Sequence, residues 1–274
     1  MFNFVSYHVI KKNGIIMDVV ILCGGKGTRL SEETSLCPKP MVEIGGKPIL
    51  WHIMSMYSYY GFNRFILALG YKSQYIKEYF FNYKKTISDF SLTLDPISKP
   101  EYFNFPKEKN WEIVCIDTGL ETLKGARVKR IENYLKSDSF HLTYGDGVGD
   151  IPIDLLLDFH KAHGSLATIT AVHPPSRFGE MNIVNDTVTN FQEKPQMDKG
   201  YINGGFFIFE KNIFSYLSSD KNCDFEFGPL QKLAVEKKLK AFKHNGFWQC
   251  MDNVRERDYL NDLIKNKNAP WVKW

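Results

Sequence analysis

The sequence predicts an α/β fold: a single domain with a mixed, mostly parallel sheet flanked by helices, and a smaller antiparallel section. Three observations predict it. Short apolar runs at 18–23, 65–69, 140–144 and 167–172 read as buried strands and alternate with stretches of helical spacing. From Ile183 onward the spacing shortens into brief strand-like pieces. A chain of 274 residues with 43% apolar and 15% aromatic content can also bury one large core.

The elements follow in order. Asp18-Val19-Val20-Ile21-Leu22-Cys23 reads as the first strand and runs into a glycine-rich turn. Residues 49–61 show helical spacing that ends at a glycine. Residues 65–69 form the second strand, closed by Gly70, and 74–81 a helix with Ser73 as its N-cap. Residues 90–94 and 111–117 read as further strands, and the Pro-, Lys-, Asn- and aromatic-rich 96–109 between them as a surface excursion. A helix over 127–135 precedes a strand over 140–144 that enters Gly145-Asp146-Gly147. A helix over 153–163 and a strand over 167–172 come next. Strand pieces at 183–184, 188–191 and 206–209, a helix over 230–238, a strand over 241–244 and a terminal helix over 255–265 complete the chain. No internal repeat or low-complexity tract interrupts it.

Composition narrows the function. Thirty-five basic against 31 acidic residues leave a formal charge of +4 with no dense Lys/Arg block, so no nucleic-acid surface is expected. Five scattered cysteines without a C-x-x-C pair fit reduced, cytoplasmic thiols rather than disulfides or a zinc site. Cys23 reads as a small buried filler, not a reactive thiol. No apolar run reaches the ~18–20 residues of a membrane helix, so no membrane partner is expected. Residues 1–16 lack the apolar core and cleavage site of a signal peptide. They form an N-terminal extension of unknown role ahead of a domain over 17–274, either an over-extended start or an arm that packs on a neighbour.

The chemistry starts at Gly24-Gly25-Lys26-Gly27-Thr28-Arg29-Leu30, followed by Cys37-Pro38-Lys39-Pro40-Met41. A glycine turn at a strand's C-terminal end lets backbone N–H groups approach phosphate oxygens that a Cβ would keep away. Arg29 and Lys39 add positive charge suited to a polyphosphate. A Walker loop needs four residues before Gly-Lys-Ser/Thr, and the dinucleotide fingerprint needs a third glycine that is missing here. A bound nucleoside triphosphate is the reading, with a plain strand–helix turn as the alternative.

On these residues the chain resembles the sugar-nucleotide pyrophosphorylases, which join a sugar 1-phosphate to an NTP. Residues 41–54, Thr143-Tyr144-Gly145-Asp146-Gly147-Val148, Asn203-Gly204-Gly205-Phe206-Phe207 and Gly246-Phe247-Trp248-Gln249 resemble in particular the branch acting on CTP and glucose 1-phosphate. The resemblance covers about 17–274. It implies a Rossmann-like nucleotidyltransferase fold, Mg²⁺ as cofactor, a homo-oligomer, and supply of deoxysugars for bacterial surface polysaccharide such as O-antigen.

The reaction implied is attack of a sugar 1-phosphate oxygen on the α-phosphorus of the NTP, which asks for cations, glycine-lined backbone and a divalent metal rather than a nucleophilic triad. Arg29, Lys39 and Lys194 are the catalytic candidates. Leu22, Cys23, Gly24, Gly25, Lys26, Gly27, Thr28, Thr122, Arg127 and Gly145 would bind the nucleotide, Lys26 through its backbone more than its charge. Tyr144, Gly179, Glu193, Lys194, Asn203 and Trp248 would hold the sugar phosphate, with Glu193 accepting sugar hydroxyls. From local sequence Asp146 reads equally as a metal ligand or an Asp-Gly turn. Asp252 reads locally as an N-cap, and the resemblance makes it the second Mg²⁺ ligand instead. CTP rests on the resemblance, because an acceptor for the cytosine N4 amine cannot be read from side chains. A sister enzyme using UTP, dTTP or another phosphorylated acceptor is the competing reading. A non-catalytic nucleotide-binding subunit would have lost Arg29, Lys39 or an aspartate, and all are present.

Overall fold

A computed structural model describes residues 17–104, 110–174, 180–192 and 200–274. Seven strands build the central sheet: β1 (Asp18–Cys23), β2 (Arg64–Leu69), β3 (Glu112–Asp117), β4 (Ser139–Tyr144), β5 (Ala167–Val172), β6 (Ile202–Glu210) and β7 (Leu239–His244). Their order is β7-β5-β6-β4-β1-β2-β3. β6 runs antiparallel to both neighbours, and every other adjacent pair is parallel.

β1 and β2 are buried at every position. Each opens on a buried charged residue, Asp18 and Arg64, which pair with one another, and continues as the unbroken apolar run expected of a strand covered on both faces. Val19, Ile21 and Cys23 join one core layer with α1 (Ile49–Tyr59), while Val20 and Leu22 join the other with Val128 of α3 (Lys124–Arg130). The period-2 alternation of β1 therefore sorts its side chains between two helical layers. α2 (Ser73–Phe81), α4 (Ile153–His163) and α5 (Val254–Lys265) complete the set of longer helices. None of the described helices is long and apolar enough to cross a membrane.

Several local expectations change. Ser73 opens α2 instead of capping it, and Lys72 ahead of it adopts φ +50°. The terminal helix is capped by Asn253, whose side chain accepts from Glu256 N, so Asp252 is not the N-cap. The stretch at 206–209 lies in β6 within the main sheet, while Glu180–Val184 and Thr187–Gln192 pair as a separate hairpin. The helix expected over 230–238 is only Gln231–Val235, and Lys237 turns the chain with φ +58°. Asp89–Ser91 pairs with Glu101–Phe103, so part of the surface excursion is itself a hairpin.

β4 carries His141, fully buried between Phe62 (ring centroids 4.5 Å apart) and Tyr57 (5.2 Å). Neither ring nitrogen has a hydrogen-bond partner among the described residues. Burial pushes its pKa down to about 3, so the folded ring stays neutral where the unfolded chain takes up a proton. Its folded pKa lies below the unfolded value, so this stability is fully present above about pH 6.5 and is lost as pH falls toward 3. Lowering the pH from about 7.5 to about 4.5 should cost ~2–3 kcal/mol through this residue alone. His160 and His163, also lowered chiefly by burial, act in the same direction. In urea titrations at both pH values, His141→Phe should shrink the loss; an unchanged loss would refute this assignment.

Candidate active site

β1 and β4 are adjacent and parallel, with Leu22 opposite Tyr144. From β1 the chain proceeds to β2 on one side, while β4 lies on the other, so their C-terminal ends open a crevice of the kind where open α/β sheets bind ligands. A cleft of about 560 Å³ sits there. Leu22, Cys23, Gly24, Gly25, Gly27, Thr28, Arg29, Lys39, Thr122, Arg127, Tyr144, Gly145, Asp146, Asn203, Trp248 and Asp252 all line it. Gly179, Glu193 and Lys194 lie outside the described residues. Lys26 points its charge elsewhere, pairing with Glu121 at 2.6 Å.

The glycine loop is built for three separate reasons. A Cβ on Gly24 would lie 2.1 Å from the Arg127 guanidinium. Gly27 takes φ +65°, and a Cβ there would lie 2.7 Å from Thr34. Gly25 alone of the three would meet nothing within 4 Å among the described residues, which leaves its backbone open to a ligand. Two of the three glycines thus serve the protein's own packing.

Arg127 explains the first of these. Its buried guanidinium donates to the carbonyls of Leu69 (3.0 Å), Gly119 (2.7 Å), Gly24 (3.0 Å) and Leu120 (3.1 Å) and to Thr118 Oγ1 (2.7 Å). It ties the loop after β1 to the end of β2 and to the turn after β3. Its fork is spent on these acceptors, so the structure gives it a positioning role at the cleft's base rather than an unengaged charge. Burial, with Arg130 nearby, holds its pKa below the ordinary value.

The aspartates meet through a short sheet. Gly147–Gly149 pairs antiparallel with Trp248–Cys250, and Met251 N donates to Asp146 O at 2.8 Å. This ladder delivers Asp252 to the side of Asp146. Lys39, on the tight turn Lys39–Met41, places its Nζ 2.6 Å from both Asp146 Oδ2 and Asp252 Oδ1. Arg29 Nη1 donates to Asp252 Oδ2 at 2.6 Å, with most of its side chain in solvent. Burial would lower the Lys39 pKa, but the two carboxylates outweigh it and hold the ammonium above its ordinary value. Burial would likewise raise Asp252, and Lys39 with Arg29 holds it below the usual carboxylate range. Both partners are charged.

The donor set fits a hard divalent cation. Two carboxylates already converge on one cationic position, the lysine ammonium, and both offer oxygen. The neighbouring Cys250 thiol lies 3.6 Å from Asp252 Oδ2 and is a soft donor, less suited to Mg²⁺ than the carboxylate oxygens. Glu256, also nearby, instead accepts from Asp252 N at 2.5 Å and helps close the start of α5.

On the other wall, Tyr144 is more than an apolar surface. Its hydroxyl accepts from Asn203 Nδ2 (3.0 Å) and donates to Glu226 Oε1 (2.7 Å). Trp248 Nε1 donates to Gly204 O at 2.8 Å. Gly205, at φ +79°, leaves room for the Tyr144 ring, which a Cβ would approach to 2.4 Å. Lys124, Glu226 and Cys250 also line the cleft and were missed from sequence. Asp224-Phe225-Glu226-Phe227-Gly228 carries no periodicity and no motif that would have exposed Glu226.

Residues 18–252 match the family described as nucleotidyl transferase. The chain is 48% identical over 259 residues to the glucose-1-phosphate cytidylyltransferase of Salmonella typhi, covering 94% of this chain and 100% of that one. It is 30% identical over a 266-residue alignment to the mannose-1-phosphate guanyltransferase of Saccharomyces cerevisiae, covering 92% of this chain and 65% of that one. Among solved structures, HddC from Yersinia pseudotuberculosis matches with a TM-score of 0.65 at 25% identity, covering 91% of this chain and all of that one. The matched span begins at β1 and ends at Asp252, enclosing every described residue that builds the crevice: the chain belongs to the nucleotidyl transferase family.

Proposed function

We propose that the protein transfers a cytidylyl group from CTP to α-D-glucose 1-phosphate, giving CDP-glucose and pyrophosphate. The observation that carries this reading is the convergence of Lys39, Arg29, Asp146 and Asp252 at one end of the cleft. The full-length likeness to a glucose-1-phosphate cytidylyltransferase supports the choice of substrates.

In this reading a phosphate oxygen of the sugar phosphate forms a bond to the α-phosphorus as the bond to pyrophosphate breaks. Lys39 and Arg29 exchange carboxylate partners for phosphate oxygens and stabilise the charge that develops there. Mg²⁺ held by Asp146 and Asp252 would draw charge from the phosphates, the chemistry expected of a hard ion on two carboxylates. Gly25 and its neighbours present backbone to the triphosphate. Lys194 would orient the attacking phosphate, and Glu193 and Gly179 would contact the hexose.

The product would feed deoxysugar synthesis for bacterial surface polysaccharide. Five free cysteines support a reducing, cytoplasmic setting. Exposed Phe81, Leu94 and Ile97, around the hairpin Asp89–Ser91/Glu101–Phe103, support assembly with further copies. Sedimentation should therefore report a multiple of 31.8 kDa, and a monomer would contradict the assembly.

Pyrophosphate release measured over the four NTPs and several phosphorylated acceptors tests the substrate assignment. CTP with glucose 1-phosphate should give the highest kcat/KM; preference for another pair would replace it with a sister activity.

A further inference from the structure

We propose that Glu226 selects the acceptor, receiving a hydroxyl of a neutral hexose ring and fixing how the sugar 1-phosphate lies in the cleft; this rests on the sugar-phosphate reading above. Glu226 is held on one side only. Its Oε1 accepts from Tyr144 Oη at 2.7 Å and from Lys124 Nζ. Its Oε2 has no hydrogen-bond partner among the described residues, and the side chain is partly exposed where it lines the cleft. One carboxylate oxygen is therefore occupied by the protein while the other remains a strong acceptor for a ligand.

The position is built. Asp224 Oδ1 accepts from the backbone N–H of both Glu226 and Phe227 at 2.8 Å, and Gly228 at φ +121° allows the chain to turn away. Behind them, Ala126 N donates to Cys223 O at 3.1 Å and Leu123 N to Lys221 O at 2.8 Å, docking this segment on the start of α3. A Cβ on Gly125 would lie 2.5 Å from Asp224 O, so the close docking needs that glycine. Asn203 extends the wall: Nδ2 donates to the Tyr144 hydroxyl, and Oδ1 accepts from Gly205 N at 2.9 Å. The result is a directional chain, Asn203 to Tyr144 to Glu226, that holds the carboxylate oriented before any ligand arrives.

Charge decides which end of the acceptor it meets. Glu226 is already ion-paired with Lys124, so this wall offers little net charge: the phosphate is drawn toward Lys39 and Arg29 and the uncharged ring lies toward Glu226. A site built around a ligand hydroxyl rejects an analogue lacking it, because the acceptor that the bound sugar covers is then left unpaired.

The test compares wild type with Glu226→Gln on glucose 1-phosphate and its 2-, 3-, 4- and 6-deoxy forms, with KM for CTP recorded throughout. Wild type should lose at least about tenfold in kcat/KM on one deoxy sugar. Glu226→Gln should lose a similar factor on glucose 1-phosphate and no longer distinguish that deoxy sugar, with KM for CTP within about twofold of wild type. Equal losses on every sugar, or a matching rise in KM for CTP, would overturn the proposal. Should Glu226→Gln fail to fold, Tyr144→Phe removes one donor to Oε1 and should weaken the same discrimination; unchanged discrimination would count against it. Calorimetric binding of the same sugar phosphates reads the contrast without turnover. An inactive wild type would thus defeat the cytidylyl-transfer reading, while the binding contrast decides the role of Glu226.

Discussion

Replacing Lys39 by alanine is expected to lower kcat by about three orders of magnitude while leaving the fold in place. Lys39 is 7% exposed and, among the described residues, is the one side chain that pairs with both aspartates. Two anionic substrates must be brought together here, so removing a cation aimed at the developing charge acts on the transition state more than on binding. The cost to stability is smaller than for a fully enclosed pair. Asp146 and Asp252 keep side-chain exposures of 29% and 16%, and Arg29 remains on Asp252. A loss of about 1–2 kcal/mol is expected, part of it recovered on adding Mg²⁺, which thermal melting would report. Turnover near the wild-type value would remove Lys39 from its assigned role.

Asp146→Asn and Asp252→Asn should each reduce kcat by about 10³-fold, the equivalent of several kcal/mol of charge stabilisation. Neutralising a carboxylate keeps the side chain's size but removes an anionic ligand and a partner of Lys39. The two variants should differ in a second respect. Asp252 also holds Arg29, so Asp252→Asn frees Arg29 and leaves Lys39 on Asp146 alone, whereas Asp146→Asn leaves the Arg29–Asp252 pair intact. Titration with Mn²⁺ followed by its spectroscopic signal should show weaker metal binding in both. Unchanged metal affinity in either variant would exclude that residue as a ligand.

How much of this was legible depended on whether the determinant was local. Burial on both faces makes β1 and β2 continuous apolar runs after their first residues, so they could be found by eye, as could the glycine loop that follows β1. The placing of Asp146 at the end of β4 follows from strand and turn signals alone. Asp252 was different. Its role depends on the pairing of Trp248–Cys250 with Gly147–Gly149, a long-range ladder with no local signature, and local sequence argued for a cap that Asn253 in fact supplies. Gly24 was read as clearance for phosphate, yet its missing Cβ makes room for Arg127, far away in sequence. Arg127, expected on the nucleotide, lines the cleft and also anchors the loops that form its base, a second role that depends on contacts far apart in sequence. Glu226 and Lys124 were invisible because a hydrogen-bond chain through Tyr144 is a property of the folded wall and leaves no periodicity behind.

In the proposed reaction this cleft joins CTP to glucose 1-phosphate. Incubating the protein with Mg²⁺, CTP and glucose 1-phosphate, and quantifying both products by mass spectrometry and pyrophosphate assay, tests it most directly. CDP-glucose and pyrophosphate should form in equal amounts and only when both substrates are present. Consumption of CTP without CDP-glucose, or sugar-nucleotide formation from another NTP but not from CTP, would contradict it.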